Sequence, residues 1–361
     1  MIYSIDQVRH LHLEISSLCN AACPLCPRNV NGYPYNSGYR EHNMTLAEAQ
    51  TVFPITFIKQ LKNIIINGNF GDAVMNPETT DIIRYFKQHN SELHINISTN
   101  GGARSAKFWE ELAEIETEVV FCIDGLDNAT HALYRRNTLY DTVIKNAKTF
   151  ISAGGRALWK MIHFEHNESQ LVRAKQLSQE LGFLAFLLVD DGRDSGPVYD
   201  RNGNLEYVIG PGKIDYQLPA RVESMLDVHL NLNYRKNQLY QIKKIPVEDP
   251  IHCEVKYSRS LYVSSTADVF PCCYTGLNPQ EYKNNSAIGY GLEQIAQIMT
   301  KNNALEYSLK ECIEWFDQIE KTWSISEFEQ GRSLICTTTC GGPNKRAQYH
   351  VKQAEYTENS I

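Results

Sequence analysis

Three cysteines near the start of the chain have the spacing of metal ligands. Cys19, Cys23 and Cys26 stand in the arrangement CxxxCxxC. Three thiolates this close together can hold three irons of a [4Fe-4S] cube and leave the fourth iron without a protein ligand. An iron with a free coordination position can bind a substrate or a cofactor. The pattern therefore indicates a cluster that acts as a reagent as well as an electron store.

Zinc, disulfides and structural thiols are the alternatives for these cysteines. Zinc is usually held by four ligands arranged as paired CxxC or Cys/His knuckles, and no partner pair lies nearby in the sequence. Disulfides are typical of small secreted scaffolds, whereas this chain has 361 residues and no visible secretion signal. Iron-sulfur chemistry is therefore favoured, and zinc stays open as an alternative.

Length and charge exclude several classes of function. A chain of 361 residues is long enough for one barrel-sized domain and a smaller one. Thirty-five basic and 42 acidic residues give a net charge of -7, which argues against nonspecific binding to nucleic acid or anionic membranes. The N-terminus has no targeting character, and no stretch of about 18 apolar residues is present. We expect a soluble, cytoplasmic protein.

The first half of the chain alternates short apolar segments with helical periodicity. A capping box at Thr45 and Glu48, a cap at Asn76-Pro77, and apolar helical spacing over 105–115 and 168–181 predict the helices. Repeated β/α units imply a parallel sheet with right-handed crossovers. We predict an α/β fold, a partial (β/α)6 TIM-like barrel over about residues 8–195. The six predicted strands are 11–15, 63–67, 93–98, 118–123, 157–163 and 184–189.

The character of the sequence changes after the predicted barrel. A hairpin is predicted from 261–264 and 269–271, followed by helices over 292–300 and 304–322. The predicted division is a barrel (1–195), a connector (196–250), a small C-terminal α+β domain (251–345) and a tail (346–361).

Polar motifs close the predicted strands, where ligands gather in parallel sheets. The triple cysteine follows the first strand, Gly68-Asn69-Phe70-Gly71-Asp72 the second, and Ser98-Thr99-Asn100-Gly101 the third. Cys122-Ile123-Asp124-Gly125 closes the fourth. Together these motifs resemble the radical S-adenosylmethionine (radical SAM) superfamily. The resemblance implies that the open iron of the Cys19, Cys23 and Cys26 cluster chelates S-adenosylmethionine.

The resemblance also implies which side chains and backbone groups bind S-adenosylmethionine. Cys122 departs from the family pattern, because relatives often have serine there. For either arginine a surface salt bridge is the alternative role. The implied cofactor-binding residues are Gly68, Gly71, Asp72, Ser98, Asn100, Cys122, Asp124, Arg135, Arg136 and Asn167, with His166 as a further polar contact.

A second set of cysteines consists of Cys253, the adjacent pair Cys272 and Cys273, and the later pair Cys336 and Cys340. This set resembles the SPASM/twitch extension of radical SAM enzymes. The resemblance implies one auxiliary [4Fe-4S] cluster, and zinc at the same residues is the alternative. Relatives usually separate the last two ligands by two residues, whereas three separate them here. Cys273 is the weaker alternative to Cys272 as a cluster ligand. The helical spacing of Cys312 from Leu309 and Phe316 predicts that Cys312 is a buried core thiol. The implied ligands are Cys253, Cys272, Cys336 and Cys340.

The resemblance implies reductive cleavage of S-adenosylmethionine to a 5'-deoxyadenosyl radical that abstracts a substrate hydrogen. The first choice of substrate is a ribosomally made peptide that is crosslinked, epimerised or oxidised, although the start of the chain leaves no room for an N-terminal peptide-recognition domain. The alternatives are a twitch-type dehydrogenase of a small alcohol or sugar and a non-enzymatic zinc or electron-transfer protein. The expected partners are the substrate and an external one-electron donor of the flavodoxin or ferredoxin type.

Overall fold

The computed structural model describes residues 3–30, 32–34, 40–189, 196–210, 251–277, 292–327 and 330–341. One large sheet lies at the centre of this part of the chain. Its strands are β1 (His10–Leu13), β4 (Asn63–Ile66), β5 (His94–Thr99), β6 (Glu118–Cys122), β7 (Arg156–Ile162), β8 (Ala185–Val189), β11 (Ser260–Val263) and β12 (Val269–Phe270). They are ordered β12-β11-β1-β4-β5-β6-β7-β8.

Two small hairpins lie outside the large sheet. They are β2 (Asn29–Val30) with β3 (Tyr33–Pro34), and β9 (Gly196–Tyr199) with β10 (Leu205–Ile209). The start of the predicted connector thus forms an antiparallel hairpin, while residues 211–250 and the tail lie outside the described residues.

The helices connect the strands in β/α order. They are α1 (Leu46–Val52), α2 (Ile55–Gln60), α3 (Thr79–His89), α4 (Ala106–Glu114), α5 (Asn128–Tyr134), α6 (Tyr140–Ser152), α7 (Leu171–Glu180), α8 (Glu254–Ser258), α9 (Leu292–Ile298), α10 (Leu309–Cys312), α11 (Phe316–Thr322) and α12 (Leu334–Cys340). Short 3-10 helices span Ile5–Gln7, Ala73–Met75 and Glu165–Gln170. No helix among the described residues has the length and apolar character that a membrane crossing requires.

Side-chain alternation along the strands separates a core face from an inner face. In β5, Ile95 and Ile97 are fully buried in the main core, whereas Asn96 and Ser98 are half-buried. Because successive side chains of a strand point to opposite faces, the polar residues line the interior of the barrel. The core contains Phe121 and Trp159 from the strands and Trp109 and Phe150 from the helices, all fully buried.

The predicted partial barrel is confirmed. The six predicted strands correspond to β1, β4, β5, β6, β7 and β8, which pair in parallel in this order. The capping box at Thr45 and Glu48 also forms, with the Thr45 side chain accepting from the Glu48 amide.

The sequence did not predict that the later hairpin joins the barrel sheet. β11 pairs in parallel with β1, with Leu11 beside Leu261 and Leu13 beside Val263, and β12 runs antiparallel to β11. All four of these residues are at most 1% exposed, so burial of apolar side chains favours this register. The predicted division into domains stays a prediction.

Two helix predictions need correction. The segment 304–322 is not one helix, because Ser308 and Glu311 form a capping box that starts α10, and α11 begins only at Phe316. Asn76 is not the N-cap residue of α3, because that position is Glu78 and the helix begins at Thr79. The Asn76 side-chain oxygen accepts from the Glu78 amide at 2.9 Å, and its amide group donates to the carbonyl oxygens of Ile15 and Met44, at 2.7 and 2.8 Å.

Candidate functional site

The three cysteines of the first motif lie together after β1, at the carboxyl edge of the sheet. Cys23 is 6% exposed, and Cys19 and Cys26 are half-buried. All three pack against a small apolar cluster that is separate from the main core and includes Tyr134 and Ile162. A backbone hydrogen bond from the Cys26 amide to the Cys23 carbonyl, 3.2 Å, closes a turn within the loop. The fold thus presents three thiols in one apolar setting.

Burial and nearby negative charges oppose ionisation of the Cys19 thiol. The pKa of Cys19 is raised, first by burial, then by the charges of Asp72, Cys23 and Cys26. Buried thiolates beside a carboxylate repel one another, and coordinated iron would offset that repulsion. Among the described residues no group of three or more His, Cys, Asp or Glu side chains is arranged around one metal ion. A cubane cluster bonds each cysteine to a different iron, so its ligands stand farther apart than those of a single ion.

The turn after β4 is built from glycines because other residues lie too close. A Cβ on Gly71 would sit 1.8 Å from the Ser16 carbonyl oxygen, and one on Gly68 would sit 2.5 Å from a carboxylate oxygen of Glu14. Neither position can accept a side chain without moving the backbone of the turn or of the segment after β1. The turn is therefore held against β1, next to the cysteine loop.

Asp72 connects the ends of two strands. It is 5% exposed, and its carboxylate accepts hydrogen bonds from the Thr99 hydroxyl at 2.8 Å and from the Asn100 amide at 2.7 Å. Burial raises the pKa of Asp72, while these hydrogen bonds act in the opposite direction. The Asp72 amide also donates to the Leu18 carbonyl, 2.8 Å away, which ties the turn to the residue before Cys19.

The end of β5 reaches the cysteine loop through Asn100. Its side-chain amide donates to the Asn20 side chain at 2.9 Å and lies 3.7 Å from the Cys19 sulfur. Ser98 lies on the inner face of the barrel, half-buried, two residues earlier. Sequence reasoning missed Asn20, whose only signal was its position directly after a candidate ligand.

Asp124 and Arg135 form an ion pair beside the same loop. Asp124 is fully buried, and one of its carboxylate oxygens accepts from Arg135 Nε at 2.6 Å, while the other accepts from the Ile162 amide at 2.6 Å. Arg135 Nη1 lies 3.8 Å from the Cys23 sulfur. The charges of Asp124, Cys23 and Cys122 raise the pKa of Arg135 although burial opposes them. Cys122 itself is 6% exposed.

Two other predicted residues are engaged with the protein backbone. Arg136 donates to the Tyr199 carbonyl at 3.0 Å and pairs with Glu206 at 2.9 Å, both on the β9–β10 hairpin. Asn167 is fully buried, and its amide group donates to the carbonyl oxygens of Asp124 and Ile162 at 3.2 and 2.9 Å. Both residues therefore hold segments around the site in place.

His166 Nε2 differs from the hydrogen-bonded polar side chains described above. It is buried and has no hydrogen-bond partner among the described residues. Its ring stacks on Phe164, with ring centroids 5.2 Å apart. Burial lowers the pKa of His166, while Asp124 acts in the opposite direction. An orphaned nitrogen beside this strand end is a suitable partner for a bound polar ligand.

His131 should make the stability of the protein depend on pH. Its Nδ1 accepts from the Asp124 amide at 3.3 Å, and Nε2 donates to the Thr138 hydroxyl at 3.0 Å. Burial lowers the pKa of His131 to about 4. Since an unfolded histidine has a pKa of about 6.5, the unfolded chain binds more protons between these values. The contribution of His131 to the free energy of unfolding should therefore be fully present above pH 6.5 and fall as the pH drops toward 4.

Urea unfolding at a series of pH values checks this expectation. His131→Gln should reduce the slope of the unfolding free energy against pH in this window. His94→Gln, at an exposed position, should leave the slope unchanged. A wild-type slope retained in His131→Gln would assign the pH dependence to other groups.

The comparison with known families identifies the barrel. Residues 13–173 match the family model described as the radical SAM superfamily. This match begins at Leu13, the last residue of β1, and includes β2 to β7 and every cysteine of the first motif. Residues 13–173 form a radical SAM domain.

Relatives extend the similarity beyond the radical SAM domain. A curated protein of Pyrococcus furiosus, the "tungsten-containing aldehyde ferredoxin oxidoreductase cofactor-modifying protein", is 23% identical over 331 residues, 88% of this chain and 85% of its own length. The structure of anSMEcpe with bound AdoMet and a Cp18Cys peptide gives a TM-score of 0.52 at 14% identity, covering 96% of each chain.

A structure of Streptococcus suis SuiB bound to the precursor peptide SuiA also has a similar fold. It gives a TM-score of 0.52 at 13% identity, covering 91% of this chain and 70% of SuiB. In another SuiB structure this chain spans 65% of that chain's length. At these identities the structural matches establish the shared fold.

A second group of cysteines lies C-terminal to the radical SAM domain. Cys253 precedes α8, Cys272 follows β12, and Cys336 and Cys340 are on α12. The pKa of Cys253 is raised, first by burial and then by the charges of the other three. A bridge between Ile251 and Gly341 brings the two ends of this region together. Cys272, Cys336 and Cys340 therefore lie close enough to Cys253 for their charges to oppose ionisation of its thiol.

Spacing on α12 explains the unusual separation of the last two cysteines. Cys336 and Cys340 are four residues apart on one helix, which puts them on the same face. Burial raises the pKa of Cys336 to about 12 and that of Cys340 to about 11, with the Cys272 charge adding to both.

Two further cysteines lie outside this group. Burial raises the pKa of the Cys273 thiol, and the charges of Cys272 and Glu14 add to this effect. Cys312 is fully buried in the main core with Leu309 and Phe316, as predicted, although Cys312 and Phe316 lie on two different helices.

Proposed function

We propose that this chain is a radical SAM enzyme whose Cys19, Cys23 and Cys26 hold a [4Fe-4S] cluster with one open iron. The observation that carries the proposal is the grouping of three buried or half-buried thiols at the carboxyl edge of the radical SAM domain. When bound, the cluster and S-adenosylmethionine supply reductive cleavage of the sulfonium and the hydrogen abstraction that follows. The chain's own residues bind, orient and shield them.

Two donors would tune the sulfur ligands. Asn100 Nδ2 and Arg135 Nη1 lie 3.7 and 3.8 Å from the sulfurs of Cys19 and Cys23. Hydrogen bonds to cluster sulfurs are one of the factors that set the reduction potential. We assign to both side chains a role in orienting these ligands as well as any contact with the cofactor.

The remaining predicted cofactor residues divide into two roles. Gly68 and Gly71 would bring the backbone of the turn to the ligand. Ser98 and Cys122 would contact it from the ends of β5 and β6, and the orphaned His166 Nε2 would hydrogen-bond to it. A second set would hold the strand ends in place, because hydrogen bonds already engage these side chains: Asp72, Asp124, Arg136 and Asn167.

The direct test is formation of 5'-deoxyadenosine. Anaerobically reconstituted protein with dithionite and S-adenosylmethionine should produce it. A fully iron-loaded sample that forms none would refute the proposal. A non-enzymatic zinc or electron-transfer protein, the alternative from another class, predicts no change in the electron paramagnetic resonance (EPR) signal of the reduced protein when S-adenosylmethionine is added.

We also propose one auxiliary [4Fe-4S] cluster at Cys253, Cys272, Cys336 and Cys340. Their mutual effects on thiol pKa support this set. Four protein ligands would leave no open iron, so such a cluster would relay electrons. This role suits a reaction with net oxidation, with an external flavodoxin- or ferredoxin-type donor supplying the first electron.

Replacing Cys336 by alanine should remove the auxiliary cluster and spare cleavage of S-adenosylmethionine at least in part. We expect iron to fall from about eight to about four per chain, while 5'-deoxyadenosine still forms. Cys273→Ala is the matched control and should retain about eight irons. About twelve irons in the wild type would contradict a single auxiliary cluster.

A peptide is our first proposal for the substrate. The fold is shared with SuiB bound to SuiA and with anSMEcpe bound to a Cp18Cys peptide, and these peptide complexes support it. The Pyrococcus relative, named as a cofactor-modifying protein, favours a small molecule as the second candidate. A peptide encoded beside this gene that binds tightly and increases 5'-deoxyadenosine formation would support the first. A small cofactor precursor or alcohol doing so instead would support the second.

A further inference from the structure

A buried carboxylate lies beneath the glycine turn of the radical SAM domain. Glu14 follows β1 and is 2% exposed. One of its carboxylate oxygens accepts hydrogen bonds from the backbone amides of Phe70 and Gly71, both at 2.9 Å, and the other accepts from the Tyr262 hydroxyl at 2.5 Å. Burying a carboxylate is unfavourable unless such donors satisfy it. Glu14 therefore holds the backbone of the turn in place through these hydrogen bonds.

These hydrogen bonds decide which way the peptide groups of the turn face. In a planar trans peptide the N–H group points opposite to the C=O group of the preceding residue. Since the Phe70 and Gly71 amides point at Glu14, the carbonyl oxygens of Asn69 and Phe70 point away from it. The turn thereby presents acceptors on the side opposite to Glu14.

The same turn is attached to the hairpin end that carries Cys272. The Asn69 side chain donates to the carbonyl oxygens of Cys273 and Gly276, at 2.8 and 3.2 Å. Gly276 packs so closely on the Tyr262 ring that an added Cβ would lie 2.5 Å from it. Tyr262 thus touches both the carboxylate under the turn and the loop after β12.

We propose that Glu14 and Tyr262 are positioning residues that fix the Asn69 and Phe70 carbonyl oxygens to accept hydrogen bonds from the amino group of S-adenosylmethionine. By the same contacts they anchor this turn to the loop that carries Cys272. The inference rests on the proposed function, because it assumes that S-adenosylmethionine is the ligand. It assigns roles to two buried side chains that were not among the expected site residues.

Tyr262→Phe tests the inference, because it removes the hydroxyl and keeps the ring. We expect about tenfold weaker binding of S-adenosylmethionine, measured by titrating the EPR signal of the reduced cluster. An analogue without the amino group should bind the variant and the wild type equally, since it has no N–H donor for the carbonyl oxygens. Glu14→Gln, which retains the shape of the side chain, should show the same selective loss.

A matched control separates positioning from general stability. Tyr85→Phe removes a hydroxyl that donates to the Phe53 carbonyl at 2.8 Å, on α3 away from the turn. It should lower the melting temperature without changing either affinity. Wild-type affinity for S-adenosylmethionine in Tyr262→Phe, or equal weakening for both ligands, would overturn the inference and leave the proposed function standing. A wild type that binds no S-adenosylmethionine would overturn both.

Discussion

Cys23→Ala should abolish formation of 5'-deoxyadenosine. Cys23 is the most buried of the three cysteines, and Arg135 lies beside its sulfur. Without this thiolate the cluster has two protein ligands, so we expect the anaerobically reconstituted variant to lose about four irons per chain. Chromatographic measurement of 5'-deoxyadenosine, together with iron analysis, checks both effects.

Cys312→Ala is the matched control for this experiment. Cys312 is fully buried in the main core, away from both cysteine groups. The variant should lose about 1 kcal/mol of stability from the small cavity, while iron content and product stay at wild-type levels. If Cys23→Ala and Cys312→Ala formed equal amounts of 5'-deoxyadenosine, the assignment of Cys23 as an iron ligand would be wrong.

Asp124→Ala should lower the free energy of unfolding more than any of the other substitutions. The fully buried carboxylate pairs with Arg135, whose side chain is only 13% exposed, and also accepts the Ile162 amide. Removing it leaves a largely buried cation and an unsatisfied amide. Breaking a buried ion pair in this way typically costs about 3–5 kcal/mol. Urea unfolding of wild type and variant measures the difference.

An exposed aspartate on the same loop provides the comparison for Asp124→Ala. Asp127 caps α5, where its carboxylate accepts from the Thr130 amide at 2.7 Å. Loss of such a cap typically costs about 1 kcal/mol, so Asp127→Ala should be much milder than Asp124→Ala. Equal losses in the two variants would mean that the Asp124–Arg135 pair adds no more stability than a surface cap.

Local features of the site could be predicted from sequence because neighbours along the chain determine them. The capping box of Thr45 and Glu48 needs only residues three apart. The burial of Cys312 was predicted correctly from the apolar residues near it, although the single helix predicted for its segment is two helices. The CxxxCxxC motif brings its thiols together by its own short length. The six strands followed from apolar, β-branched segments separated by helices.

Contacts between distant segments could not be predicted in this way. The Glu14–Tyr262 hydrogen bond joins residues 248 positions apart, and the pairing of β11 with β1 spans a similar separation. The residues near Glu14 in the sequence do not predict its hydrogen-bond donors, because a buried carboxylate is satisfied by whichever donors the fold brings to it.

The sequence by itself determined the type of chemistry: three closely spaced thiols, a barrel of parallel strands, and polar residues where those strands end. Tertiary structure alone decided how these polar residues are used. Asn167 and Arg136 donate hydrogen bonds to backbone carbonyl oxygens, whereas His166 Nε2 has no hydrogen-bond partner among the described residues. The physical reason is that hydrogen bonding of buried groups depends on geometry between segments far apart in the chain, which residue type and spacing do not encode locally.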